Sequence, residues 1–515
     1  MNAFELKLDN DRDIWRFLSE NKKGIEREIL RVDQFGRISQ KPHPMSLGSA
    51  LAHPYITTDY SEALLELVTP PLISSDELES YLLNIHYYIY TNLEDEILWS
   101  SSMPFLHEKN QQIPLAFYGV SAEGKYKTTY RKGLAMRYGE LMQAISGVHF
   151  NFSFSDNFLS AYLGEPLGSK QFQEKSSNLY MHLARNYQRF SFFLVYLFGA
   201  SPCVSKNYKD GMKDELTDFD IDTWIAKDST SLRMSDIGYN NFSRSQIYCS
   251  LNSLDSYVED LRYALTTKSE NFSTQKKDER QGIYSQLNDN LLQIENEYYA
   301  NVRPKADVSS GHRPIKALKE NGVSYIEIRS IDLNPFSPIG IDKGQMHLIE
   351  MFLICCALWK SDPIGEGEHD EIYARDLLIA KKGRKKNLEL PFLEKKVKLD
   401  DVMNSIFDSL EKVTTVMDNK AYETSLRSWR QKFNQRKTIS YEFIDQLSES
   451  KLSFQDFILA LSASHQDTML NQFKPDALTQ DRLRTLVGQS LSSQKKKEME
   501  SVSFETYLSD SFYKD

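Results

Sequence analysis

Gly147–Phe154 (GVHFNFSF) alternates without a break: Val148, Phe150, Phe152 and Phe154 fall on one side, His149, Asn151 and Ser153 on the other. A period of two predicts a strand with an apolar back and a polar front. Elsewhere the period is helical. Ser74-x-x-Glu77 has the form of a capping box, and Leu78, Tyr81, Leu82, Ile85 and Ile89 follow it at helical spacing. Leu254, Tyr257, Val258, Leu261 and Leu265 make a second stripe, and both stripes predict helices with an ordinary core face. The apolar runs Phe190–Ala200 and Leu348–Trp359 are about a dozen residues each, and the second contains Glu350. A spanning helix needs about 20 apolar residues, so both predict buried core helices. Polar Thr266–Gly282 predicts an exposed loop, and the Gly- and acid-rich Asp362–Asp370 predicts a boundary. Mixed patterns precede that boundary and helical ones follow, as in Phe443–Phe473. The expected class is therefore α+β, with residues 1–375 carrying the candidate chemistry and a mostly helical region, 376–515, packed on them.

Composition narrows the function classes. Hydrophobic residues make up 40% of the 515 and the net charge is -10. A chain this long can bury a large core without disulfides or a structural metal. The acidic balance opposes a general nucleic-acid binder, which needs a basic face to neutralise phosphates. Cys203, Cys249, Cys355 and Cys356 show no CxxC spacing and are too few for a secreted disulfide scaffold. The start, MNAFELKLDNDRDIW, has no apolar run behind a basic one, so no leader peptide is expected and a cytoplasmic location is. The basic runs Lys381–Lys386 and Lys495–Lys497 are expected to be solvated.

Two familiar motifs fail. Gly119-x4-Gly124-Lys125 nearly spells a phosphate loop, but Tyr126 stands where Ser or Thr would hold magnesium. Lys125 could still meet a phosphate by another geometry. Asp218-x-Asp220-x-Asp222 begins like a calcium loop, yet Thr223 replaces its glycine and Ser229 its bidentate acid.

What survives is a set of carboxylates at strand spacing. Glu26 and Glu28 are two apart, as are Glu327 and Arg329, so on strands each pair shares a face. Asp59 and Glu66 flank a short apolar stretch, and His149 adds a nitrogen on the polar front. One Glu-x-Glu is ordinarily a solvated strand face. Several acids brought together, however, repel unless cations sit between them. Hard divalent cations take oxygen ligands, and Mg²⁺ is held by a few carboxylates together with substrate phosphates. Arginines would clamp those phosphates. This is the equipment of phosphoryl transfer, with no substrate specified by spacing alone.

These residues lie in longer stretches. GIEREILRV, LGSALAHPYITTDYSEALLELVTP, YRKGLAMRYGELMQAISGVHFNFS, YLFGASP, TSLRMSDIGY, LLQIENEYYANVRPK and YIEIRSIDLNPFSPIGID closely resemble the proteobacterial type of glutamate–cysteine ligase. The resemblance covers roughly Gly24 to Trp359. It implies a fold related to glutamine synthetase, in which a curved, mainly antiparallel sheet forms a funnel surrounded by helices. It implies ATP-dependent ligation of the γ-carboxylate of L-glutamate to the amine of L-cysteine through γ-glutamyl phosphate. Mg²⁺ is the implied ion, with Mn²⁺ as the alternative, and ATP is a co-substrate. By motif, the metal ligands are drawn from Glu26, Glu28, Asp59, Glu66, His149 and Glu327. Arg329, Arg233 and Arg131 are implied as catalytic, and Arg303 and Lys305 as nucleotide-binding. Gln143, Ser146 and Gly147 are implied to hold glutamate. Tyr60, Tyr130, Leu134, Tyr239 and Tyr299 resemble the family's cysteine pocket, where a ring packs the thiol and a hydroxyl bonds the carboxylate. The partners implied are these small molecules, with no nucleic acid and no membrane, acting on a monomer. The alternatives are a ligase of the same family using a different amine and a catalytically inactive nucleotide-binding relative.

Overall fold

The computed structural model describes residues 4, 6, 12–208, 216–238, 247–273, 284–307, 313–392 and 395–513. Among them, seven strands form one open sheet: β1 (Lys22–Val32), β2 (Ile56–Thr58), β3 (Leu64–Val68), β4 (Ile97–Leu98), β5 (Gly147–Ser153), β6 (Val302–Lys305) and β7 (Tyr325–Asp332). The order is β2-β3-β1-β5-β7-β6, with β4 paired to the end of β1, and every pairing is antiparallel. The class is α+β.

Side-chain alternation gives the sheet its two faces. Ile25, Ile29, Val148, Phe150, Phe152, Ile326, Ile328 and Ile331 point to one core. It is closed by helices α1 (Ser75–Tyr90), α3 (Lys170–Phe190), α4 (Phe192–Phe198), α5 (Leu254–Thr266) and α6 (Lys343–Leu358), whereas α2 (Ala122–Tyr138) lies on the front. Phe150 and Phe152 are fully buried, and truncating either to alanine would cost about 3–5 kcal/mol. Both predicted helical stripes hold: Leu78, Leu82, Ile85 and Ile89 are buried on α1, and Tyr257, Val258, Leu261 and Leu265 on α5. Ser74 caps α1 by accepting the Glu77 amide at 3.4 Å. The run Phe190–Ala200 is buried throughout around α4, and Leu348–Trp359 is buried in and just beyond α6. No helix among the described residues is long and apolar enough to cross a membrane.

The back of β1 also carries three buried cations. Lys23 pairs with Glu350 at 2.8 Å, and Arg31 with Glu96 at 2.6 Å. Arg27 donates to the Pro338 carbonyl at 2.9 Å and meets His86. Glu350, the one acid in its apolar run, is thus the counter-charge of a strand on the far side of the core. Leaving either partner of such a pair alone in the core would cost several kcal/mol.

Three expectations need correction. The segment Thr266–Gly282 is not simply an exposed loop: Ser269 and Phe272 are buried, and Glu270–Ser273 form a helical turn. Its residues 274–282 lie outside those described. Within the basic run at 381–386, Arg384 is buried and donates to the Ser229 carbonyl at 2.9 Å, while its lysines stay at least partly exposed, as they do at 495–497. The boundary expected after 375 falls inside α7 (Glu366–Lys382). Beyond it, α8 (Leu399–Met417) and α9 (Lys420–Asn434) join the main core through Val402, Phe407 and Trp429. Next, α10 (Ile439–Ser450) and α11 (Phe454–Asn471) pack Phe443, Leu447 and Ile458 against Trp99 and Phe105.

Candidate active site

The register of the sheet assembles the acids. Glu26 stands opposite His149 and Glu28 opposite Glu66, while Glu327 faces Asn151 across the β5–β7 pair. Asp59 follows β2 in a turn whose amide is held by the Leu64 carbonyl. All six predicted ligands, Glu26, Glu28, Asp59, Glu66, His149 and Glu327, line one cavity of about 420 Å³. Ligand atoms of Glu26, His149 and Glu327 lie within 4.8 Å of one another. His149 Nδ1 is 3.3 Å from Glu26, and its Nε2 is 3.6 Å from Glu28.

The surroundings divide these carboxylates into two kinds. Burial alone would raise Glu327, but Lys305 at 2.8 Å, Arg329 and Arg303 overcome it and hold its carboxyl well below the usual range. Burial, then the charges of Asp59, Glu26 and Glu28, push Glu66 well above that range, and burial with Asp59 raises Glu28. On the Glu28, Glu66 and Asp59 side the acids thus outnumber their nearest cation, Arg131 at 4.0 Å from Asp59, and a proton or a further cation would relieve the repulsion. Oxygen donors with one imidazole fit a hard divalent ion.

The other predicted residues fall into three groups. Arg131, Arg329, Arg303, Lys305, Gln143, Tyr60, Tyr130, Leu134 and Tyr299 line the same cavity. Arg131 rises from α2 to bond the Asp59 carbonyl and lies 4.5 Å over the Tyr118 ring. Tyr299 donates to Gln143 Oε1 at 3.0 Å. Arg303 is tied to the Asn296 and Tyr298 carbonyls, and so stiffens the wall. Arg233, Ser146 and Gly147 do not line the cavity. Arg233 is buried behind it, donating to the Arg329 carbonyl at 2.9 Å and lying 3.7 Å from Asp332. The Gly147 amide donates to Glu28 at 2.7 Å, and the fully buried Ser146 donates its amide to the Ser102 carbonyl. Gly147 thus touches an acid and Arg233 the strand that carries one, whereas Ser146 only precedes β5. Tyr239 lies outside the described residues.

The near-match to a phosphate loop points to Lys125, but Lys127 is the α2 lysine at the cavity. Lys125 is exposed, whereas Lys127 lines the cavity 5.3 Å over the Tyr118 ring. Its spacing of four from Arg131 was the available signal, because it puts both on one helix face. Tyr118, Tyr126 and Tyr507 also line the cavity. A second groove of about 1,150 Å³ adjoins it, sharing Glu26 and lined by Thr69, Asn151, Ser153 and Tyr325. The failed calcium motif is structural: Asp218 pairs with Lys206 at 2.7 Å, and Asp220 accepts the Phe454 amide at the start of α11.

The model of the glutamate–cysteine ligase family matches residues 7–378. The glutamate–cysteine ligase of Alcanivorax borkumensis is 38% identical over 96% of this chain and 95% of its own. That of Aliivibrio salmonicida is 40% identical over 99% of both. The crystal structure of the Francisella tularensis glutamate–cysteine ligase in complex with AMP superposes with a TM-score of 0.90 at 32% identity, covering 96% of this chain and 98% of that one. A bifunctional glutathione synthetase from Pasteurella multocida shares the fold, with a TM-score of 0.72 at 24% identity over 91% of this chain and 55% of that one. With a matching family model, relatives aligned along nearly their whole length and a shared fold, the chain belongs to the glutamate–cysteine ligase family.

Proposed function

We propose that this cavity joins the γ-carboxylate of L-glutamate to the amine of L-cysteine, cleaving ATP to ADP and phosphate, the first step of glutathione synthesis. The observation that carries the reading is the juxtaposition, on one sheet face, of the acids around His149 with Lys305, Arg303 and Arg329 around Glu327. One set is suited to divalent cations and the other to phosphate oxygens.

The γ-carboxylate oxygen of glutamate bonds to the γ-phosphorus of ATP, and the bond from that phosphorus to ADP breaks. The amine nitrogen of cysteine then attacks the acyl carbon of γ-glutamyl phosphate, phosphate departs, and the nitrogen loses a proton. Arg329 and Lys305 supply positive charge where phosphoryl oxygens pass, already oriented by Glu327. Glu26, Glu28, Asp59, Glu66, His149 and Glu327 would hold Mg²⁺, or Mn²⁺ in its place. A bound divalent ion neutralises charge on the transferring phosphoryl group. The groove sharing Glu26 with the cavity has room for the nucleoside, leaving the phosphates to reach the acids. Arg131 and Lys127 offer fixed cations for substrate carboxylates. Tyr60, Tyr130, Leu134 and Tyr299 enclose the small acceptor. No protein nucleophile is required. All four cysteines are buried and burial raises their thiols, which suits inert packing residues.

The test is ADP formation from Mg-ATP and L-glutamate with and without L-cysteine, with products identified by mass. Cysteine-stimulated ADP release with γ-glutamylcysteine as product is the expected result. ADP release that ignores cysteine but responds to another amine would replace the acceptor. Absence of turnover with every amine, despite ATP binding, would leave an inactive relative.

A further inference from the structure

We propose that the C-terminal helix α13 (Phe504–Tyr513) forms the outer wall of the cysteine end of the cavity, with Tyr507 as a specificity-determining residue that retains the acceptor and excludes water. This rests on the ligase reading given above.

The argument begins at the N-terminus of α2. A helix start leaves amides without intrahelical acceptors, and here residues remote in sequence accept two, one in the first turn and one just before it. Ser501 Oγ accepts the Ala122 amide at 2.7 Å, and Glu498 Oε1 accepts the Val120 amide at 3.1 Å. Lys497 pairs with Glu123 at 2.5 Å, and Gln494 accepts the Ser49 hydroxyl at 2.5 Å. The end of α12 (Ala477–Met499) and the link after it are thus pinned to the first turn of α2. From that anchor α13 runs against the same helix. Phe504 packs edge-on to Tyr284 at 5.0 Å, and Tyr507 edge-on to Tyr126 at 5.7 Å.

Position on α2 then links the tail to the acceptor. Tyr126, Tyr130 and Leu134 follow at intervals of four on one helix face, and all three line the cavity. Tyr130 and Leu134 are buried, whereas Tyr126 is half-buried at the end to which the tail is pinned. Tyr507 joins that row from outside and lines the cavity itself. A helix that served only to cover α2 would have no need of a ring in the cavity wall. An acyl phosphate is open to water as well as to an amine, so closing this end favours ligation over hydrolysis.

The experiment compares Tyr507→Ala, Tyr507→Phe and Phe504→Ala in the full-length chain. The readouts are KM for each of the three substrates and the ratio of ADP to γ-glutamylcysteine formed. Tyr507→Ala should raise KM for cysteine about tenfold, the range lost with one good apolar contact. KM for ATP and glutamate should stay within about twofold, and more than one ADP should form per ligation. Tyr507→Phe, which keeps the ring, should behave as the unaltered enzyme. Phe504→Ala, which loosens α13 outside the cavity, should reproduce the Tyr507→Ala pattern. Unchanged cysteine KM and coupling, an equal rise in all three KM values, or failure of Tyr507→Phe to restore them would each overturn the proposal. The unaltered enzyme's own product tests the ligase reading separately.

Discussion

Glu327→Gln keeps the size of the side chain and removes one charge at the centre of a cationic cluster. Glu327 is 1% exposed and is held between Lys305 and Arg329, which are 28% and 20% exposed. Removing one member of a buried ion pair costs about 3–5 kcal/mol, mostly for the charges left behind. The partial exposure of both cations puts the expected loss at the lower end, about 3 kcal/mol. Urea unfolding in EDTA reads this loss directly, because chelation leaves only the protein's own charges to oppose one another. The second variant, Lys305→Met, removes one of the stranded cations, so Glu327→Gln/Lys305→Met should recover a large part of the stability. Activity should not return with it, since an amide at 327 does not restore the carboxylate proposed to hold a divalent ion. A single variant within about 0.5 kcal/mol of the unaltered protein, the scatter of ordinary surface changes, would refute the electrostatic account. Near-normal turnover in that variant would remove Glu327 from the site.

Arg329→Lys retains charge but not the planar fork, and kcat should fall about a hundredfold or more in steady-state assays; a loss under about threefold would mean that bidentate geometry is not used there. Gly147→Ala would place a Cβ 2.1 Å from Arg233 Nη2 and 2.8 Å from its Nε, so thermal unfolding should show about 1–3 kcal/mol of overpacking. An unchanged midpoint would show that the guanidinium can retreat. His347, stacked on Tyr422 and bonded to Ser425 at 2.9 Å, is pushed down to about 4 by burial and then by Lys23 and Lys343. Its folded-state value lies below its unfolded one. The stability it contributes is therefore complete above about pH 6.5 and lost as pH falls toward 4. After allowance for partial solvent contact, that is about 2 kcal/mol. His347→Gln should make urea midpoints fall less steeply over that interval, and an unchanged slope would exclude this histidine as a source of acid lability.

Much of the candidate site could be read because strand parity is local information. Two residues apart on a strand means one face, so Glu26 with Glu28, and His149 with Asn151, could be grouped before any partner was known. Which strands meet is not local. The ion pair of Lys23 with Glu350 spans 327 positions, and nothing at either end marks it. Read alone, alternating Lys23, Ile25, Arg27, Ile29 and Arg31 on the back of β1 mixes charge with core, and only the far partners make it a buried face. The same limit hid the difference between Lys125 and Lys127, since helical periodicity in a polar stretch does not say which face meets a cavity. It hid Tyr507 too, whose place in the wall depends on contacts between α2 and residues more than 370 positions later.

The end of β7 shows where strand parity itself gives way, and why that happens beside the site. Strict alternation from Glu327 and Arg329 would put Ile331 in the cavity and Asp332 in the core. The β5–β7 register shifts between Ile328 and Ile331 instead, so that Arg329 and Ser330 share the space opposite His149. A bulge of this kind reverses the faces beyond it. Ile331 then pairs with Val148 and rejoins the core, fully buried. Asp332 pairs with Gly147 and turns to Ser201, Ser231 and Arg233. Arg233 in turn holds the carbonyl of Arg329, the bulged residue itself. The bulge thus leaves Arg329 beside Glu327, where strand parity puts it, while giving it a supporting cation behind the cavity, reachable because Gly147 leaves room for the guanidinium. Arg233 does not line the cavity, and its bond to the backbone of Arg329 predicts that it acts as a positioning residue. Its loss should therefore lower kcat while leaving KM for ATP, glutamate and cysteine within about twofold, a split that steady-state kinetics of Arg233→Met would read. A rise in any one KM with kcat preserved would instead place Arg233 in contact with that substrate.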